Sequence, residues 1–154
     1  LAEVQALVAP TSATNPRRTS NGFDFHRAAM LLAVLEKRAG FKLGVKDVFL
    51  NMAGGLKVSD PACDLAVISA VLSSNFDFAI PADVCFAGEV GLSGEIRPVA
   101  QTDRRIIEAA RLGFKRIFVS SFSSLEGLSE QGIKGIEVVK VADVPSLCRS
   151  LFKS

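Results

Sequence analysis

Tryptophan and tyrosine are missing from this chain, and histidine occurs once, as His26. With a single histidine, placed in the first turn of a predicted helix, neither a Ser-His-Asp or Cys-His arrangement nor a His-rich metal site is read. Cysteine is scarce too. Cys63, Cys85 and Cys148 fit no zinc spacing, and their odd number speaks against a disulfide framework, so a reducing compartment is expected. No apolar run approaches the roughly 20 residues of a membrane span. The longest, around 28–35 and 65–72, reach half that length and carry helical spacing. A signal-peptide pattern is absent from the N-terminus. No G-x-x-x-x-G-K-[ST] phosphate loop occurs, so Gly54-Gly55 is not read as a nucleotide cradle. Charge excess is small as well: a net +2 implies no nucleic-acid partner by itself.

What is present suits one folded domain over residues 1–154, with 49% hydrophobic and 22% charged residues. The chain opens without an initiator Met, directly in strand-like LAEVQALVAP, and a fragment of a longer protein is expected. Residues 1–9 read as a strand and 10–18 as a polar loop. Asp24 is positioned to N-cap a helix to Ala39, with Ala28, Leu31, Leu32 and Leu35 on its buried face and Gly40 as its stop. A strand over 45–52 follows, with Val48 and Leu50 alternating against Asp47 and Phe49, and Gly54-Gly55 breaking it. Asp60 and Pro61 open a second helix, to about Ser74, whose apolar run Leu65–Leu72 predicts a central position. Residues 84–99 read as a hairpin turning at Gly91–Gly94. Then come a helix from Thr102 to Leu112 ending at Gly113, a strand from Arg116, a short helix, a strand over 136–141, and a last helix near Asp143–Pro145. No repeat or linker is visible. Such mixing predicts an α/β (α+β) sandwich with a mixed sheet, a β-hairpin and flanking helices.

Three stretches carry a resemblance: QALVAPTSATNPRR (5–18), GGLKVSDPACDLA (54–66) and FAGEVGLSGEIRPV (86–99). In order and spacing they resemble the C-terminal Lon-protease-like domain of the RadA/Sms family of DNA-repair ATPases. The third is also similar to a hairpin of Lon proteases. Laid on this chain, the Lon nucleophile pattern P-K-D-G-P-S-A-G covers Lys57–Asp64 and puts its serine on Ala62. The dyad lysine of G-G-x-K falls on Asp103. A Ser–Lys dyad needs a hydroxyl and an amine able to take its proton, and neither residue supplies one. Cys63 sits where a helix N-terminus stabilises a thiolate, but about 100° round the helix from position 62. Ser59 reads as a loop hydroxyl.

The resemblance implies a catalytically silent scaffold that assembles a homohexameric ring and offers basic surface to single- or double-stranded DNA without reading sequence. ATP and Mg would belong to a motor domain outside this chain, and zinc to an N-terminal finger also outside it. The fragment itself is expected to hold no cofactor and no metal. The whole protein is expected to be a DNA-dependent ATPase or helicase acting in branch migration. Its compartment would be the bacterial cytoplasm or, in a plant-like source, the mitochondrion or chloroplast, with no membrane partner. The alternatives are an active Lon-type Ser-Lys peptidase and a pure oligomerisation domain.

Basic residues come in pairs, at 17–18, 37–38, 104–105 and 115–116. Most read as a solvated surface, and Arg104, Glu108 and Arg111 share a helical face on which they pair locally. Arg17, Arg18 and Lys57 sit instead in glycine- or proline-bounded loops with no acid beside the first two, and Arg97 lies in the third motif. These four are the candidate phosphate contacts.

Overall fold

The computed structural model describes residues 1–12, 14–53, 57–125, 128 and 135–152. Alternation makes the opening segment a strand, β1 (Val4–Pro10): Val4, Ala6 and Val8 turn to the core while Gln5 and Leu7 stay exposed. It pairs antiparallel with β3 (Lys46–Met52), Ala6 opposite Leu50. A strand that the sequence does not announce, β2 (Arg18–Asn21), joins the other side of β3 in parallel. Its four residues, RTSN, are all polar, so no hydrophobic alternation marks it. The opening sheet is therefore mixed, in the order β1-β3-β2.

Helix α1 (Phe25–Ala39) starts as expected: the Asp24 carboxylate accepts the Arg27 N–H at 3.0 Å. Gly40, at φ 77°, ends it. Asp60 accepts the Ala62 N–H at 3.0 Å and opens a single 3-10 turn (Pro61–Cys63), which runs into α2 (Asp64–Phe76). Leu65, Ile68, Val71 and Leu72 are wholly buried, so α2 is the central helix. It packs on β1, on α1 and on β4.

The second sheet is parallel, in the order β4 (Val84–Ala87), β7 (Arg116–Ser120), β8 (Glu137–Val141). Helix α3 (Thr102–Arg111) supplies the β4-to-β7 crossover, and Ile106 and Ala109 bury against Ala87, Ile117 and Val119. Helix α4 (Val144–Leu151) opens with a reciprocal cap between Asp143 and Ser146. The four helices and three small sheets among the described residues form an α/β sandwich.

Two expectations need correction, and a third lies mostly outside the described residues. The hairpin is shorter than 84–99: only β5 (Glu89–Val90) and β6 (Ile96–Arg97) pair antiparallel, around a turn with Gly94 at φ 82°. The cause is Gly88. A Cβ there would stand 3.0 Å from Leu65 Cδ2, and the Gly88 N–H and C=O bond to Ala62 and Leu65. The chain is thus pinned to α2 between β4 and β5 and changes sheets at that point. Asp47 does not alternate outward with Phe49, because the Arg17 N–H (2.7 Å) and the Thr11 side chain bond to its carboxylate and the loop covers it. The short helix expected after β7 falls mostly on residues outside those described, and Ser121–Leu125 is not helical. Gly54 and Gly55 also lie outside the described residues.

Candidate functional site

An open groove of about 1120 Å³ runs between α2 and β1 on one side and α3 and β4 on the other. Ala62 stands in its wall, buried, on the 3-10 turn that Asp60 caps. The Asp60 carboxylate also pairs with Arg105 at 3.2 Å, which draws the start of α3 to the start of that turn. Asp103, half-buried on α3, accepts the backbone N–H of Arg104 at 2.9 Å. Ala62 presents a methyl group and Asp103 a carboxylate, so these two positions hold neither a hydroxyl nucleophile nor an amine base.

Cys63 lines the groove as well, half-buried. The helix N-terminus does not stabilise its thiolate as expected. Burial, with Asp60 and Asp64 adding repulsion, pushes its thiol above the ordinary range. Burial pushes Cys85 up to about 11 and raises Cys148 as well. All three are protonated thiols at neutral pH. Among the described residues no His, Cys, Asp and Glu side chains converge as a metal site requires. His26 is exposed beside Phe25.

The four candidate basic residues separate into two kinds. Arg17 and Arg18 have the acidic partners that their immediate neighbours lack. Arg17 pairs with Asp47 at 3.4 Å, although its side chain remains 66% exposed. Arg18 turns inward, donating to the Leu43 C=O at 2.8 Å with Glu36 3.6 Å away. Lys57 and Arg97 are exposed and have no ion pair among the described residues. Val58 bridges Phe23, and Arg97 faces Glu89, whose carboxylate lies 3.4 Å from Arg27. Lys57 and Arg97 thus flank the start of α1. Arg17 sits at the opposite end of β2, roughly 20 Å along the extended chain from Phe23.

Sequence reading passed over two charged residues, Asp64 and Arg27. Asp64, fully buried at the start of α2, accepts hydrogen bonds from Nε and Nη2 of Arg27 and from the Val90 N–H (3.0 Å). That bond and the Glu89 contact hold Arg27 above its already high range, so it is always charged. The one clue was an acid heading an otherwise apolar helix. Its partner lies 37 residues away, where no local pattern reaches. Arg104 does not pair on its helix face as expected: Glu108 pairs with Arg111 at 3.0 Å instead, which leaves Arg104 exposed at the groove without an ion pair among the described residues.

Among the described residues no helix is long and apolar enough to cross a membrane. The model of the family described as subunit ChlI of Mg-chelatase matches residues 18–122. DNA repair protein RadA of Bacillus subtilis (strain 168) is 48% identical over 97% of this chain and 32% of its own length. Its counterpart in Streptococcus pneumoniae (strain ATCC BAA-255 / R6) is 47% identical over 99% of the chain and 36% of its own length. That of Chlamydia trachomatis serovar D is 43% identical over 98% and 33%. The chain spans about a third of the length of the curated relatives it matches. The chain therefore belongs to the family described as subunit ChlI of Mg-chelatase, and throughout its length it is homologous to DNA repair protein RadA.

Proposed function

We propose that this chain is a non-proteolytic, Lon-like domain of a RadA-type, ATP-dependent DNA-repair protein, serving ring assembly and DNA contact. The observation that carries the reading is near-complete coverage of the chain by relatives named DNA repair protein RadA, at 43–48% identity. Ala62 and Asp103 support the non-proteolytic part, since neither replaces a Ser–Lys dyad. ATP hydrolysis with Mg, the zinc finger and branch migration belong to parts of such a protein outside this chain. A hexameric ring in the bacterial cytoplasm is part of the same reading.

For DNA contact, the geometry favours Lys57 and Arg97, with Arg17 third. Exposed cations without ion pairs reach phosphates without first breaking an internal bond. Arg18, bonded to Leu43 and Glu36, serves the fold instead. The test measures DNA binding of the assembled protein against salt. Lys57→Ala and Arg97→Ala should each lower the log–log slope by about 0.9 on duplex DNA, equally for unrelated sequences. Arg18→Ala should reduce thermal stability and leave the slope alone. Lys115→Ala is the control. Unchanged slopes in both Lys57→Ala and Arg97→Ala would favour a pure assembly domain.

A further inference from the structure

The groove carries features for which DNA contact has no use. β4 is an edge strand. The bond from the Arg116 N–H to the Asp83 C=O sets the phase of its ladder, so Asp83, Cys85 and Ala87 address β7 while Val84, Phe86 and Gly88 turn away. On the outward side the Val84 N–H is taken by Pro81, and Gly88 is taken by Ala62 and Leu65. Neither the N–H nor the C=O of Phe86 has a hydrogen-bond partner among the described residues. The Phe86 ring stacks on Phe118 at 5.3 Å, which fixes the backbone holding this donor and acceptor. The groove walls there are apolar and shallow: Ala66 and Ala70 from α2, Leu112 and Phe114 beyond α3, and Ile117 from β7. Lys57 and Arg104, both without ion pairs among the described residues, stand among the lining residues. The nearby acids Asp60 and Glu108 are already held by Arg105 and Arg111. Glu3, on the β1 side, is the remaining acid of the lining.

We propose that this groove docks an extended segment of a partner protein, apolar at alternate positions and carrying carboxylates that meet Lys57 and Arg104. The segment's C=O would accept from the Phe86 N–H and its N–H would donate to the Phe86 C=O, adding a short strand to the β4 edge. Small alanines on α2 leave room for its inward side chains. With Ala62 and Asp103 in place of a nucleophile and its base, the segment is held and not cut. A nucleic-acid strand would use the cations and leave the Phe86 edge and the apolar walls unused. The proposal shares Lys57 with the DNA reading, and rests otherwise on Arg104, the Phe86 edge and the apolar walls, which that reading does not use.

Fluorescence anisotropy tests it, with a labelled octapeptide of alternating valine and threonine flanked by aspartates, and the same peptide flanked by lysines. The aspartate peptide should bind saturably and be recovered intact. The lysine peptide, Arg104→Glu and Ala66→Trp should each weaken binding by about tenfold or more. Arg104→Glu is a surface change that leaves the core untouched, so it decides the matter if Ala66→Trp does not fold. Absence of saturable binding, equal binding of the two peptides, or full affinity in Arg104→Glu would overturn the proposal. Displacement of the bound peptide by a duplex oligonucleotide at equal potency in Arg97→Ala would reassign the groove to nucleic acid.

Discussion

Asp64 is the residue on which the most depends. It has no exposed surface, yet its carboxylate is met by the Arg27 fork and the Val90 N–H, so one side chain ties α1, α2 and β5 together. Removing one partner of such a pair strands the other. Asp64→Ala should cost about 3–5 kcal/mol in chemical denaturation. Arg27→Met in the same chain should recover much of that, because the uncompensated charge is gone. A double variant no more stable than Asp64→Ala alone would show that the loss comes from the Val90 bond or from packing. Little of this was legible beforehand. Ala62 and Asp103 were assigned from the resemblance to Lon proteases, because laying a motif on the chain needs no knowledge of distant contacts. Ion pairs between distant segments leave no periodic trace, and for the same reason the partners of Arg17 and Arg18 stayed hidden.

Among the elements, those with strong local signals were legible. Asp24 with Gly40, Asp60 with Pro61, and Asp143 with Pro145 mark helix starts and stops through backbone chemistry that acts within a few residues. What failed was pairing. Glycines at both ends of the turn suggested that 84–99 closes on itself, whereas β4 pairs with β7 across the α3 crossover. The loop before β2 is a further case: Asp47 anchors it to the sheet. The Arg17 N–H, foremost, holds that carboxyl below the usual range. A depressed folded value gives stability that is present above the unfolded value near 4 and lost as pH falls through the folded one. Acidification below about pH 4 should therefore release this loop. In Asp47→Asn, hydrogen exchange of Arg17 and Val48 should already be faster at neutral pH and should change less on acidification. An unaltered exchange profile in the variant would remove Asp47 from that role.

For the whole molecule, the assembly reading makes a demand on the surface. Leu7, Val45, Leu92 and Phe122 are large apolar side chains more than half exposed, the first on β1 and the others in three separate turns. A closed ring uses two different patches of each subunit, so dispersed apolar positions suit it better than one self-complementary patch. Multi-angle light scattering of the chain should give a concentration-dependent mass rising toward six copies, and Phe122→Glu or Leu7→Glu should lower it. A strictly monomeric mass at high concentration in the unsubstituted chain would move the assembly contacts out of this domain.

The order of strands in the opening sheet also bears on how the chain is made. β3 is the centre of that sheet but the last of its three strands in sequence, and β1 and β2 pair with it and not with each other. On a ribosome, β1 emerges before β3, the strand it pairs with. At 5–20 residues per second, the stretch from Pro10 to Met52 takes roughly 2–8 seconds to synthesise. For that interval a nascent chain offers an unpaired strand and the apolar stripe of α1 together. β2 is only four residues long and wholly polar, which limits what a neighbouring nascent chain can pair with there while β3 is still in the tunnel.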